Sequence, residues 1–487
     1  MSSIYTILDE AGYEPTIGLE VHVQLNTRTK IFSSDRNGSN EEPNEHIHMI
    51  SVGMPGTLPV LNKEAVNKAI QFGIATNARV NETIYFDRKS YFYPDLPKGY
   101  QTTQDKAPIC LGGQVEAFSE KLSGEFVALH HTHLEEDAGK SVHDEGNDTL
   151  IDLNRAGSPL IEIVTEPCIK SGEVAAAFLQ EIRRIVRFLD IGNANMEKGE
   201  LRCDANISIK RKDSTELGSK VEIKNMNSFN HVRRAIDFEL DRQFRLVSEG
   251  EDVLVETRTY DPAKGQTYGM RFKETLNDYR YFPCPDLPPV HIDQEMVDAV
   301  KTDMNETPAS MRQVFRKKYN LKQNDVASLT TDLATAKFAL ELTGLVNDAK
   351  MVANWISGPI KGYLNDVKLG INDLPRSTAD IADLLLLVKE DKVTSSSAMQ
   401  VLCPKLMKTN LSAKELAEKE NLLIQSDGSG LEDLVSEVLL SLPTEVERYR
   451  KGEKQLFGMF MGALMKQGGR QFNPKQLQDV LRKKLSE

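Results

Sequence analysis

From Leu19 to Leu25 the chain alternates strictly. Leu19, Val21, Val23 and Leu25 are apolar, and Glu20, His22 and Gln24 between them are polar. A period of two is that of an extended strand with one covered face. Cys203–Ile209 repeats the pattern with Asp204, Asn206 and Ser208 at the polar positions, and Val221–Lys224 repeats it with Glu222 and Lys224. Such strands predict an antiparallel sheet with one buried face and one polar, functional face. The period changes in two places. From about Gly172 to Leu189, Phe178, Ile182, Ile185 and Leu189 form one stripe while Arg183, Arg184 and Arg187 point away. From about Asn230, Val232, Ile236, Leu240 and Phe244 recur at helical spacing. Both predict amphipathic helices packed against the covered side of the sheet. Strands interspersed with helices, without a strict β-α-β rhythm, read as α+β.

This mixed region extends to about residue 293. Tyr281–Val290 holds four prolines and is the best candidate linker. Beyond it the chain is β-poor, and apolar spacing or composition predicts helices near 295–303, 307–318, 334–344, 347–366, 378–390 and 396–407. A Gly/Ser/Asp break at Ser426–Gly430 precedes a last set of short helices, the final one opened by Asn473-Pro474 as cap and first-turn proline. The Met and Phe stripe in Lys451–Met465 reads as core of that tail. The expected domains are therefore 1–293, mixed; 294–407, helical; and 408–487, a small helical tail. No repeat of 20–50 residues is present.

Composition adds limits. With 487 residues, 40% of them apolar and 27% charged, the chain has the make-up of a soluble globular protein with several cores. No run approaches the ~18 consecutive apolar residues of a membrane span. The segment Met1–Glu10 lacks the basic start and apolar run of a secretory signal, so a cytoplasmic location is expected. The five cysteines, Cys110, Cys168, Cys203, Cys284 and Cys403, are scattered and form no C-x-x-C pair. That argues against a disulfide scaffold and a thiolate zinc site. The net charge of −12 repels nucleic acid at long range, yet residues 443–487 hold ten Lys/Arg against five Asp/Glu. Segregated charge permits RNA binding at one end.

Four segments could carry chemistry. Glu20 and His22, two apart on a strand, project from one face, where a carboxylate beside an imidazole suits a hard cation or a proton relay; a solvated sheet face would look the same. Ala128–Lys140 crowds His130, His131 and His133 with Glu135, Glu136 and Asp137. Such carboxylates repel one another unless a cation or basic partners neutralise them, and the alternative is an exposed acidic turn. A zinc site through His130, His131 or His133 is conceivable, although alternate positions point to opposite faces, and oxygen-rich ligation favours Mg²⁺. Glu162 stands in the apolar run Leu160–Val164, a costly place for a carboxylate that binds neither an arginine nor a metal. Phe86–Tyr100 interleaves aromatics with Arg88, Lys89 and Lys98, a pattern that can hold phosphate or an acidic substrate and that also fits a core flanked by surface cations. No G-x-x-x-x-G-K-[ST] loop, no G-x-G-x-x-G after a strand and no signature of a glutamine-hydrolysing nucleophile occurs.

Eight blocks in order resemble the B-subunit family of the aspartyl/glutamyl-tRNA(Asn/Gln) amidotransferases: 17–25 (IGLEVHVQL), 55–63 (PGTLPVLNK), 86–95 (FDRKSYFYPD), 134–141 (LEEDAGKS), 154–164 (NRAGSPLIEIV), 201–208 (LRCDANIS), 222–229 (EIKNMNSF) and 278–283 (DYRYFP). The likeness covers the whole chain, tightly to about 290. It implies that 1–293 is a catalytic cradle domain similar in fold to the glutamine synthetase and guanido-kinase group, followed by all-α helical and tail domains, with the tail, 408–487, contacting tRNA. It also implies ATP- and Mg²⁺-dependent phosphorylation of the side-chain carboxylate of Glu-tRNA(Gln) or Asp-tRNA(Asn), a ligase step in glutaminyl-tRNA synthesis. Ammonia from a glutaminase A subunit would then displace phosphate, in a heterotrimer completed by a small C subunit. Glu20, His22, Glu162 and Glu136, or its neighbour Glu135, match the family's metal and active-site positions. Lys89 and Lys98 match lysines near that site and the ammonia-channel mouth. Arg88, Asp204, Asn206, Glu222 and Lys224 are the candidates for nucleotide contact. Some members carry a cysteine zinc knuckle in the first fifty residues; here 30–43 holds no cysteine, so no zinc is expected. The competing readings are another ATP-dependent carboxylate–amine ligase and a non-catalytic tRNA-binding scaffold.

Overall fold

A computed structural model describes residues 3–38, 42–142, 148–270, 279–424, 430–467, 472 and 474–486. Asn473, most of the expected break at Ser426–Gly430 and Asp278 lie outside the described residues. The chain divides into two compact units, Met1–Met311 and Arg312–Glu487.

The first unit is built on a ten-stranded sheet. Its central strands are β1 (Tyr13–Gln24), β2 (Glu125–Glu136), β3 (Pro159–Thr165), β4 (Leu201–Arg211), β5 (Val221–Lys224), β6 (Glu256–Asp261) and β7 (Gln266–Gly269). They run across the sheet in the order β7-β6-β5-β4-β1-β3-β2, followed by Cys110–Leu111 and Arg79–Val80, with Gln114–Ala117 also paired to β2. Every central pairing is antiparallel except β5 with β6. The α+β class expected from the patterning is the class observed.

The period-two residues sort as anticipated. Leu19, Val21 and Val23 on β1, Ile161 and Ile163 on β3, Cys203, Ala205 and Ile207 on β4, and Val221 and Ile223 on β5 are all buried in one core. Against them lie two amphipathic helices, α1 (Gly172–Phe188) and α2 (Phe229–Ser248), which add Phe178, Ile182 and Ile185, and Val232, Ile236 and Leu240. Each such side chain contributes about 1.5–3 kcal/mol of transfer free energy, so this layer holds the sheet against its helices. Both helices begin at a serine cap, Ser171 accepting from the Val174 amide and Ser228 from that of His231. They cross closely at Gly172, where a Cβ would come within 2.8 Å of the Arg233 carbonyl.

The proline-rich segment 281–290 is not a free linker. Phe282–Pro283 pairs with Asp87–Ser90, Val290–His291 pairs with Thr83–Ile84, and Cys284 and Leu287 are buried in the main core. Prolines are tolerated there because short edge pairings do not need their missing N–H. The following helix, Gln294–Asp303, packs Met296, Val297 and Val300 on the same core.

All described elements of the second unit are helical. Helices form at Pro308–Lys317, which spans the division between the units, and at Leu333–Val346 and Thr378–Lys389. The expected 347–366 helix forms as Ala349–Trp355 and Lys361–Val367 joined by a wide turn, Ile356–Ile360, that contains Pro359. Proline cannot donate to the regular ladder, and the widened turn accommodates it. In the tail, Phe460 and Leu464 are buried with Val435, Val438, Leu477 and Leu481, and Met461 and Met465 pack on them, as the core reading of that stripe requires. Among the described residues, no helix is long and apolar enough to cross a membrane.

Candidate active site

The face of the sheet opposite the helices is polar, and strand register aligns its side chains in rows. His22 on β1 lies opposite Glu162 on β3 and, on its other side, Arg202 on β4. Glu162 in turn lies opposite His133 on β2. One row therefore reads His133, Glu162, His22, Arg202. A neighbouring row sets Glu20 opposite Asp204, and a third sets Asn206 opposite Glu222.

At the centre, two carboxylates meet two imidazoles. Nε2 of His22 is 3.2 Å from Oε2 of Glu162 and 3.5 Å from Oε1 of Glu135. Nε2 of His133 is 3.3 Å from that same Glu162 oxygen and 3.6 Å from Oε2 of Glu135. Burial by itself would push both imidazoles toward neutrality, but the adjoining carboxylates outweigh it. His133 is raised to about 10, chiefly by the charge of Glu162, and His22 is raised as well. Burial pushes Glu162 up, yet His133 and then His22 hold it well below the usual carboxylate range. Glu20 titrates the other way. Its burial and the nearby Glu162 charge raise it, against one hydrogen bond received from Asn206 Nδ2 at 2.8 Å.

His22, Glu135 and Glu162 each direct one ligand atom into a common space, with these atoms within 4.8 Å of one another. Two carboxylate oxygens and one imidazole nitrogen, with no thiolate, suit a hard divalent cation of the Mg²⁺ or Mn²⁺ type. The imidazolium protons supply the positive charge that such a cation would otherwise bring to these carboxylates.

Of the residues expected to act together, Glu20, His22, Glu135 and Glu162 share this face. Glu136 takes other partners: it is ion-paired with Lys98, accepts from the Thr102 amide at 2.8 Å, and its carbonyl accepts from Gln101. Successive residues of a strand point to opposite sides, which separates Glu136 from Glu135. Lys89 rests 4.7 Å from the Tyr279 ring centroid. Burial would lower its pKa, but Tyr281, Glu135 and Glu162 raise it, so it stays charged beside the cluster. Lys98 and Arg88 lie over Tyr100 at 5.1 and 4.2 Å, and Arg88 is also paired with Asp286. Lys224 bridges Asp204 at 2.6 Å and Glu222 at 3.3 Å, and Glu222 accepts from Thr257. Asp204, Glu222 and Lys224 thus form one linked group on the same face, and Asn206 beside it bonds to Glu20.

Three members of the site were not assigned to it from sequence. His133, weighed there only as a zinc ligand, belongs to the central quartet. Its Nδ1 lies 3.1 Å from Nε2 of His131, whose Nδ1 is 2.7 Å from that of His130. The three histidines come together because the β2–β3 register slips between Val164 and Thr165, making His130 the extra residue of a bulge. Continuing the period-two count through 131, 133 and 135 would have put His131, His133 and Glu135 on one face. Asp137 and Arg202 are the other two. Asp137 is buried and accepts from Arg202 Nη2 at 2.8 Å and Gln24 Nε2 at 2.8 Å, with Arg155 Nε at 3.6 Å. Burial raises its pKa, and the two guanidiniums more than reverse that.

Comparison with known proteins agrees along the chain. The family described as "GatB/GatE catalytic domain" matches residues 15–298, and that described as "GatB domain" matches 337–485. A protein of Synechococcus elongatus is 42% identical over 484 residues, covering 97% of this chain and 98% of its own. One from Ectopseudomonas mendocina is 41% identical over 478 residues (97% and 99%), and one from Trichodesmium erythraeum 41% over 491 (99% and 99%). All three are named as the B subunit of an aspartyl/glutamyl-tRNA(Asn/Gln) amidotransferase.

Proposed function

Because this chain belongs to the family of aspartyl/glutamyl-tRNA(Asn/Gln) amidotransferase B subunits, we propose that its polar sheet face activates the side-chain carboxylate of a tRNA-borne Glu or Asp with ATP and then amidates it. The observation that carries this reading is the convergence of His22, Glu135 and Glu162 from three different strands on one space. Two carboxylate oxygens and an imidazole nitrogen aimed at one point offer a divalent cation several ligands at once.

The reaction needs little covalent participation from protein and much charge control. The substrate carboxylate oxygen attacks the γ-phosphorus, the bond to the β–γ bridging oxygen breaks, and ADP leaves with the electron pair. The nitrogen of ammonia then attacks the acyl carbon, phosphate leaves with the C–O electrons, and one proton is lost from nitrogen. His22, Glu135 and Glu162 would hold Mg²⁺, which when bound supplies neutralisation of phosphate-oxygen charge. Lys89, half-buried yet charged, and Lys98, held by Glu136 over Tyr100, are placed to receive anionic substrate groups. Glu20 and the group Asp204, Asn206, Glu222 and Lys224, with Arg88, line the remainder and are the proposed nucleotide contacts. This reading invokes Mg²⁺ and no zinc.

Ammonia would come from a glutaminase A subunit, a small C subunit would complete the complex, and the tail from 408 would contact tRNA in the cytoplasm. The test uses the assembled complex with γ-labelled ATP and Glu-tRNA(Gln) or Asp-tRNA(Asn). Glu162→Gln should cut formation of phosphorylated aminoacyl-tRNA about 100-fold or more while glutamine hydrolysis persists. Full transamidation by that variant would refute the assignment.

A further inference from the structure

The geometry points to Arg202 as a further catalytic residue, a guanidinium that clamps the non-bridging oxygens of the transferring phosphoryl group, with Asp137 as the residue that positions it. This deepens the carboxylate-activation reading above and rests on it.

The centre of the site is rich in carboxylates, and a phosphoryl group in transfer spreads negative charge over its equatorial oxygens. Cations must therefore face it from the protein side. Arg202 stands next to His22 in the row that contains Glu162 and His133. Its side chain is 37% exposed toward the polar face, while Asp137 behind it is only 3% exposed. One nitrogen, Nη2, donates to Asp137 Oδ1 at 2.8 Å. A guanidinium carries five N–H donors in a rigid plane, so fixing one edge aims the other edge outward, in the geometry that grips two phosphate oxygens at once.

Asp137 is built as an anchor. Its second oxygen accepts from Gln24 Nε2 at 2.8 Å, and its own amide and carbonyl bond to Ser158 and Gly157. Arg155, the other guanidinium beside it, spends Nε on the Ala138 carbonyl and Nη2 on that of Gly139. Arg155 is thus tied into backbone, and Arg202 is the one whose outer edge meets the site. Gln24, the carboxylate's amide partner, is also on β1, two residues past His22. One strand, β1, therefore carries both the proposed metal ligand and a partner of the arginine's anchor.

The experiment compares wild type, Arg202→Ala, Arg202→Lys and Asp137→Asn in the assembled complex. It measures phosphoryl transfer from γ-labelled ATP to Glu-tRNA(Gln), with KM for ATP and for tRNA, and glutaminase rate as a fold control. Arg202→Ala should lose about 100-fold in kcat with KM for either substrate changed less than about threefold. Arg202→Lys keeps the charge without the planar fork and should recover only part of that loss. Added guanidinium ion should partly restore Arg202→Ala and leave wild type unaffected, which a merely structural role would not produce. Asp137→Asn should lower kcat by about tenfold through the misaimed arginine, without guanidinium rescue. Retention of kcat within about twofold in Arg202→Ala, or a loss confined to KM for tRNA, would overturn the proposal. A wild-type complex that forms no phosphorylated aminoacyl-tRNA would instead overturn the parent reading.

Discussion

Nε2 of His133 lies 3.3 Å from Oε2 of Glu162, directly across the β2–β3 pairing, and the two titrate away from each other. His133 is raised from 6.5 to about 10, and Glu162 is held well below 4.5. For a raised base, the contribution to stability is whole below the unfolded value near 6.5 and disappears as pH climbs through about 10. For a depressed acid it is whole above 4.5 and disappears as pH falls toward the folded value. With metal chelated, this cluster should support the fold fully between 4.5 and 6.5 and weaken on both flanks. Thermal melts in EDTA at about pH 6 and about pH 10 should show a larger drop for wild type than for His133→Gln. Equal drops would mean the pair carries none of the pH dependence.

Metal affinity should follow the opposite direction on the alkaline side. A cation bound by His22 needs a neutral imidazole, and Glu162 and Glu135 raise the His22 pKa above 6.5 against the effect of burial. Binding must displace that proton, so apparent Mn²⁺ or Mg²⁺ affinity should increase as pH rises past 6.5 and then level off. Calorimetry in buffers of different ionisation enthalpy should show proton release on binding near neutral pH. Binding without proton release, at pH-independent affinity, would exclude His22 as a ligand.

The crossing of α1 and α2 gives a prediction independent of chemistry. A methyl at Gly172 would stand 2.8 Å from the Arg233 carbonyl and 2.9 Å from Asp237 Oδ1. Asp237 also pairs with Tyr5, whose hydroxyl accepts from the Gly172 amide at 2.7 Å. Gly172→Ala should therefore destabilise the first unit by about 1–3 kcal/mol through overpacking, although alanine is the better helix former. Denaturant midpoints measure it, and an unchanged or raised midpoint would show that the helices can separate freely at that point.

These relationships differ in how far the sequence announced them. The strands carrying Glu20, His22, Asp204 and Glu222 were legible because one covered face imposes a period of two. Helices α1 and α2 were legible because their apolar stripes are unbroken. The role of Glu162 as a cluster residue could be suspected from its apolar neighbours but not assigned, since its partners, His22 and His133, are fixed only by strand order and register. His133 could have been found by counting back in twos from Glu135, but the bulge at His130 hides which of the three crowded histidines keep that alternation. Asp137 and Arg202 are 65 positions apart, and no local pattern marks a pair of that separation. The proline-rich 281–290 stretch misled for a related reason: composition reports what the backbone cannot donate, not which side chains are buried.

The adjacent acids Glu135 and Glu136 offer the sharpest separation of roles, because the sequence could not choose between them. Glu135 contacts both His22 and His133 and accepts from Thr103 Oγ1 at 3.3 Å. Glu136, just as buried, is committed to Lys98 and the Thr102 amide. Removing charge at 135 takes a ligand from the cation space, whereas removing it at 136 leaves that space intact and strands a largely buried ammonium. Glu135→Gln should thus weaken Mn²⁺ binding about 10- to 100-fold, the range typical of a disturbed metal shell, with a modest effect on stability. Glu136→Gln should leave Mn²⁺ affinity within about threefold but lower the melting temperature, since breaking one side of a buried pair costs about 3–5 kcal/mol at most and less here, where Lys98 keeps its contacts with Tyr100 and Phe32. Paired titrations and melts on the two variants decide it: equal losses of metal affinity would mean that both carboxylates reach the cation, and a loss confined to Glu136→Gln would exchange their roles.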